Sequence, residues 1–236
     1  MIALAQGYGR LYHDLLDLLF PPRCVGCDRL GVWLCERCAQ CLPFLDGPVC
    51  VQCGRPLTEI GVCPICRKKS LRLDSIRSTF LFEGVVRDAV YALKYRGAYS
   101  VTAPLVGRMA DYWRRHHLKG DILVPVPLHP KRERKRGYNQ SILLAQELGH
   151  QLGLPVTSQL LCRVRNTVSQ TKLNQQERRV NVQDAFALTK SVKLTGTRLV
   201  LIDDIATTGA TLDACAKVLL EAGAEAVCAF TLARAA

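Results

Sequence analysis

The chain has 236 residues, 49% hydrophobic and 22% charged, an ordinary globular balance with room for one α/β domain plus a small module. Its net charge of +12 is not ordinary. It points to polyanionic partners, either phosphorylated small molecules or nucleic acid, although a merely soluble basic surface carries the same charge.

The first stretch, Ile2 to Phe20, is leucine-rich, but Arg10, His13, Asp14 and Asp17 interrupt it. The stretch therefore does not read as a membrane span; lacking a basic n-region followed by a clean apolar core, it does not read as a signal peptide either, and the chain is expected in the cytoplasm. Leu11, Leu15, Leu18 and Leu19 fall near one helical face. The expectation over 1–22 is an amphipathic helix that packs on the body or on a partner. Its small positive charge argues against membrane-surface binding.

Twelve cysteines follow a pattern. Eight form four C-x-x-C pairs: Cys24/Cys27, Cys35/Cys38, Cys50/Cys53 and Cys63/Cys66. A C-x-x-C turn brings two thiolates to one tetrahedral ion, and two such turns close a structural zinc site. The short spacing within each half suits two zinc ribbons in series over 23–69, each holding one Zn2+. The simplest pairing is sequential, and an interleaved pairing satisfies the same spacing. Disulfides suit a cytosolic chain poorly, and an iron–sulfur cluster is the other four-thiolate reading. The ribbons have few large apolar residues, so metal would supply most of their folding free energy and the two modules would have separate cores. Cys41 has no assignment, and Cys162, Cys215 and Cys228 read as buried small hydrophobes.

Arg67 to Ser70 marks a change of composition and a linker, which starts the second domain at 70–236. Ser78 to Phe82 reads as a strand. Val85 to Tyr95 reads as a helix closed by Gly97, with Lys94 near its basic end, and Leu105 to His117 as another. Asp121 to Pro127 is a buried strand running into the basic loop HPKRERKRGYNQ, and a helix starts near Asn139. Arg134 and Lys135 fit a solvated face of that loop. Arg132 and Arg136 fit an oxyanion site better, because they lie between a buried strand and Gly137. Cys162 to Phe186 is polar and basic, and reads as a long mobile loop with at most one short helix. Loops of that length inside compact domains are usually functional lids.

Leu199 to Ile202 is a continuous apolar run, as in a strand buried on both faces. Asp203 and Asp204 follow, then the turn Thr207-Thr208-Gly209 and a helix from Thr211 to Ala222. A tight glycine turn and a helix N-terminus turn amide donors on one point, and threonine hydroxyls add to them. The two aspartates would repel a phosphate and suit hydroxyl donors instead. Phosphate on one side and paired hydroxyls on the other describe a ribose 5-phosphate. The competing reading is a buried strand whose Asp and Thr residues only cap the next helix. A last strand runs from Ala224 to Leu232. Alternating strands and helices argue a doubly wound, mainly parallel sheet, with both anion sites at strand C-terminal ends.

The stretch LVLIDDIATTGATL resembles the PRPP-binding motif of type I phosphoribosyltransferases. By that resemblance Asp203 and Asp204 hold the ribose hydroxyls. Ala206, Thr207, Thr208, Gly209, Ala210 and Thr211 wrap the 5′-phosphate, although Ala206 stands where the motif often has a larger residue. The four C-x-x-C pairs, LKYRG, VPVPL, RGYNQ, the stretch from Arg163 to Phe186 and IDDIATTGAT together resemble the ComF/GntX family. That resemblance implies a double zinc ribbon joined to a type I phosphoribosyltransferase-like domain. It implies PRPP bound with Mg2+, its pyrophosphate on the loop from Pro127 to Gly137 with Arg132 and Arg136 as the basic positions. It implies a lid over 163–181 that includes Arg163, Arg165, Gln170 and Arg178, and it leaves the role of Lys94 open. Some family members are tied to natural transformation and single-stranded DNA, so competence machinery and DNA are implied partners. Two functions follow: transfer of phosphoribose to a nucleobase-like acceptor, or PRPP or nucleotide sensing by a protein that binds single-stranded DNA.

Overall fold

The computed structural model describes residues 21–165, 182 and 184–235. The amphipathic helix expected over 1–22 falls almost wholly outside them. Among the described residues no helix is long and apolar enough to cross a membrane.

The sheet has four parallel strands in the order β1 (Ile76–Leu81), β6 (Ala226–Arg234), β5 (Arg198–Ala206) and β2 (Ile122–Pro125). β5 sits inside the sheet because Leu199, Val200, Leu201 and Ile202 are all buried, two on each face. One face is covered by α3 (Gly84–Tyr95), α4 (Thr102–Arg115) and α6 (Gln140–Leu152), whose buried residues form a cluster with Phe80, Phe230 and Ile202. The other face is covered by α7 (Ala210–Glu221) and by an antiparallel hairpin of β3 (Leu161–Arg163) and β4 (Phe186–Leu188). The sheet is thus doubly wound and parallel, as expected.

Two elements differ from expectation. The stretch from Cys162 to Phe186 begins and ends in strands, not in loop. Leu161 and Phe186 point inward against the α7 side, and three residues of pairing are too few to show as alternation in the sequence. The basic loop is also partly a helix, α5 (Pro130–Arg136). Pro130 starts it, the His129 ring accepts from the Lys131 amide at 3.2 Å, and Gly137 ends it at φ 86°. α5 buries none of its residues, so no apolar period announces it. Asn139 caps α6 by accepting from the Ser141 amide at 2.9 Å. Of the three single cysteines, only Cys215 is fully buried; Cys162 and Cys228 are half-buried.

The ribbon segment contains α1 (Glu36–Gln40) and α2 (Pro64–Lys68). Its first half does not have a core of its own, whereas the second keeps a small cluster of Cys50, Cys53, Cys63 and Cys66 with Leu57, Val62 and Ile65. Cys24, Cys35, Cys38, Ala39 and Leu42 share one buried cluster with Phe80, Val86 and Val90. Pro43 to Leu45 runs along β1: Leu81 N donates to Pro43 O and Leu45 N to Thr79 O, both at 2.9 Å. Phe44 packs on Phe80 with ring centroids 4.9 Å apart. Further along the same strand, Ile76 N donates to Gln52 O at 2.7 Å. The ribbons therefore cover the edge strand that an open sheet would otherwise expose. The physical reason is size: each ribbon has too few apolar residues to bury alone, and a strand edge with unpaired amides accepts them.

Candidate functional site

A cavity of about 230 Å³ opens where β2 and β5 end. It is lined from several elements at once: Lys94 and Tyr95 from α3, Pro127 after β2, Arg132 and Arg136 from α5, Gln140 from α6, Arg163 from β3, and Asp203 through Ala206 with Thr207, Gly209, Ala210 and Thr211 from β5 and the turn. Residues far apart in the chain thus meet at the sheet's C-terminal edge, where open α/β sheets place ligands.

The carboxylates are held by a polar chain. Asp203 Oδ1 accepts from Ser141 Oγ at 2.8 Å and from the Asp204 amide at 2.9 Å. Asp204 is 4% exposed, forms an ion pair with the Lys94 ammonium, and accepts from Gln140 Nε2 at 3.4 Å. Arg136 donates to the other end of the Gln140 amide and lies 5.6 Å above the Tyr95 ring. Tyr138 donates to the Leu93 carbonyl, which fixes the end of α3 that carries Lys94. Burial pushes the Asp203 carboxyl up to about 7, and the neighbouring Asp204 charge pushes the same way. Burial opposes ionisation of Asp204 as well, but the Lys94 ammonium outweighs it and holds that carboxyl below its ordinary value.

Cations face them. Arg163 is buried, with its guanidinium 5.2 Å over the Phe186 ring. Burial lowers its pKa, and Arg132 lowers it further, so two guanidiniums crowd one end of the cavity. The turn supplies the rest. Asp213 N donates to Gly209 O at 2.8 Å, the first bond of α7, so the N-terminal end of that helix, with its positive dipole potential, faces the cavity. A ligand that carries both anionic groups and hydroxyls matches this set of groups.

Several residues named from the sequence lie off the cavity wall or in another kind of element than expected. Thr208 is in the turn but not on the cavity wall; its hydroxyl accepts from the Ala210 amide at 3.3 Å. Gly137 ends α5 and does not line the cavity. Arg163 belongs to a strand, and Arg165 follows in an exposed bend. Gln170 and Arg178 lie outside the described residues. Gln140, Ser141 and Tyr95 carried no assignment from sequence. Gln140 and Ser141 adjoin Asn139, and their reach to β5 depends on how α6 packs on it.

Gly209 gives a first test. Its φ is +78°, and a Cβ there would come within 2.9 Å of Ile76 Cδ1 and 3.4 Å of Leu71 Cδ1. A side chain would strike the apolar backing of the turn, not the cavity. Gly209→Val is expected to lower stability by about 2 kcal/mol or more, from left-handed backbone strain and overpacking together. It should also abolish phosphate binding. Unchanged phosphate-induced stabilisation of the variant would place the anion elsewhere.

Both four-cysteine sets close sequentially. Cys24, Cys27, Cys35 and Cys38 have their sulfurs within 4.8 Å of one another, and so do Cys50, Cys53, Cys63 and Cys66. Four Zn–S bonds of about 2.3 Å in a tetrahedron place sulfurs about 3.8 Å apart. The Cys27–Cys35 and Cys53–Cys63 sulfurs are 3.6 and 3.7 Å apart, so the donor sets fit zinc. Cys41 joins neither set.

Comparison with known proteins agrees with these features. A double zinc ribbon domain matches residues 15–67, and a phosphoribosyl transferase domain matches residues 139–236. The chain is 34% identical over 209 residues to competence protein ComFC of Bacillus subtilis, covering 85% of this chain and 84% of that one. It is 30% identical over 222 residues to competence protein F of Haemophilus influenzae, covering 90% and 97%. It is 32% identical over 212 residues to the DNA utilization protein YhgH of Salmonella typhimurium, covering 87% and 92%.

Proposed function

The chain belongs to the ComF family of competence proteins, with a double zinc ribbon and a phosphoribosyltransferase-like domain, and from that premise we propose that its cavity binds PRPP and transfers phosphoribose to a nucleobase-like acceptor. The observation that carries this reading is the convergence on one cavity of the glycine turn, two carboxylates and three arginines.

In this reading the turn from Ala206 to Thr211 takes the 5′-phosphate. Asp203 accepts from a ribose hydroxyl, and Asp204 holds Lys94 and Gln140 in register beside it. Arg132, Arg136 and Arg163 hold the pyrophosphate. Arg165, Gln170 and Arg178 belong to the lid that the family resemblance implies. Mg2+ bound with PRPP would neutralise charge on the departing pyrophosphate. The bond from ribose C1 to the pyrophosphate oxygen breaks with its electron pair leaving on that oxygen. An acceptor nitrogen lone pair makes the new bond to C1. The two carboxylates offset positive charge that develops on the ring meanwhile. The test is pyrophosphate release from PRPP with a panel of nucleobases. Release that requires both a base and an intact Asp203 supports transfer.

A second reading is a PRPP- or nucleotide-sensing protein that binds single-stranded DNA and does not turn over. The Lys94–Asp204 ion pair favours it, because it engages one of the two carboxylates. Arg134 and Lys135 project to solvent on α5. If this surface binds single strands, affinity should fall with salt at a log–log slope of roughly −0.7 per phosphate contact. Replacing Arg134 and Lys135 with Glu should weaken DNA binding strongly and PRPP binding little. Fluorescence anisotropy that finds no salt-sensitive binding by the wild type would remove the DNA reading.

A further inference from the structure

Arg234 ends β6 and is, among the described residues, the largest side chain that is fully buried, at 1% exposed. Its Nε and Nη1 are buried with no hydrogen-bond partner, and the same holds for Nε of Arg55. A guanidinium out of water and unpartnered is costly, so a counter-charge is required. Both arginines line one small pocket with Cys53, Cys66, Thr208 and the exposed Lys69, and no carboxylate lines it.

A zinc ion held by four thiolates carries a net charge of −2, because +2 is set against four negative sulfurs. In the second cluster all four cysteines are buried, so water does little to compensate that charge. Two guanidiniums on the wall of the shared pocket carry the opposite charge, +2. The first cluster differs, since Cys27 is exposed and its thiolate is hydrated.

The position of Arg234 gives the pairing a consequence. Arg234 is the register partner of Ala206, where the phosphate turn begins, and Ala235 N donates to Ala206 O at 2.9 Å. Thr208 of the turn shares the pocket with both arginines. Leu71 packs on the second cluster and also backs Gly209. We propose that Arg234 and Arg55 are the counter-charges of the second zinc tetrathiolate, and that this buried lock ties the second ribbon to the back of the phosphate turn. The tie to ligand binding rests on the reading of that turn as a phosphate site; the counter-charge assignment does not.

The test uses the full zinc-loaded chain. Zinc release to a chelator is followed with a colorimetric indicator, and alkylation of the freed thiols identifies the cluster. In Arg234→Gln, one of two zinc equivalents should leave at least tenfold faster, with Cys50, Cys53, Cys63 and Cys66 alkylated first. The other equivalent should keep its wild-type rate, and Arg234→Lys should restore part of the difference. Arg55→Gln, at a half-buried site, carries the same test if Arg234→Gln does not fold. Release that is unchanged, or faster for both ions alike, overturns the assignment. PRPP and inorganic phosphate should bind Arg234→Gln about tenfold more weakly, although Arg234 does not line the cavity. Unchanged binding with one labile zinc overturns the tie to the turn. A wild type that binds neither ligand counts against the PRPP reading, while the zinc arm still decides the counter-charge.

Discussion

Removal of zinc from the first ribbon is expected to unfold the sheet together with that ribbon, in one transition. Zinc binding to four thiolates contributes on the order of 10 kcal/mol per site, comparable with the whole stability of a domain. The loss cannot stay local, because Cys24, Cys35 and Cys38 are part of the cluster that holds Phe80, Val86 and Val90. Gly26 shows how tight this packing is: a Cβ there would come within 2.8 Å of Cys38 Sγ and 3.0 Å of Val85 Cγ2. Removing the ribbons would also strip Pro43–Leu45 and Gln52 from β1 and expose its amides. Cys38→Ser should therefore lower the melting temperature of the near-native far-ultraviolet signal, not only that of zinc retention. Elemental analysis of the wild type should give two zinc ions per chain. Two separate transitions, with the sheet surviving loss of metal, would restore the picture of independent modules.

Replacing Lys94 is expected to have the second largest effect. Lys94→Met leaves the Asp204 carboxylate buried beside Asp203 without its ammonium. Breaking a buried pair from one side costs about 3–5 kcal/mol. The pH dependence has a definite sign. In the wild type the Asp204 carboxyl is held below its ordinary value by Lys94, so the stability this supplies is present above the unfolded pKa near 4. It is lost as pH falls through the folded value. In the variant, burial works against ionisation of Asp204 without the ammonium to offset it, and protonation relieves the unpaired charge. The gap between wild type and Lys94→Met in urea unfolding should thus be wide at pH 7.5 and narrow toward pH 4.5. Adding Asp204→Asn to Lys94→Met should recover much of the loss. A gap that does not vary with pH would mean that Lys94 acts through packing alone.

The sequence made some of this legible and hid the rest for physical reasons. β5 and its turn were readable because a run of four apolar residues, two aspartates and a glycine turn are local signals. The two ligand sets were readable because C-x-x-C spacing is local as well. The α5 helix was hidden by its composition, since a helix that buries nothing has no apolar period. The β3–β4 hairpin was hidden by its brevity and by the distance between its strands. The shared core of ribbon and sheet was hidden because nothing local distinguishes Leu42 packed on its own ribbon from Leu42 packed under Phe80. At the site, Asp203 and Arg132 could be named from their neighbours. The link from Lys94 to Asp204 joins residues over a hundred positions apart, and it depends on how α3 crosses the end of the sheet.

The measurement that bears most directly on the central claim is titration calorimetry of PRPP with Mg2+ into the wild-type protein, beside Asp203→Asn and Arg132→Ala. The account predicts one site per chain in the wild type, and at least tenfold weaker binding in both variants. Inorganic phosphate should still bind Asp203→Asn, because the turn from Ala206 to Thr211 is intact there. A wild type that binds no PRPP, or variants that bind it as tightly as the wild type, would contradict the account.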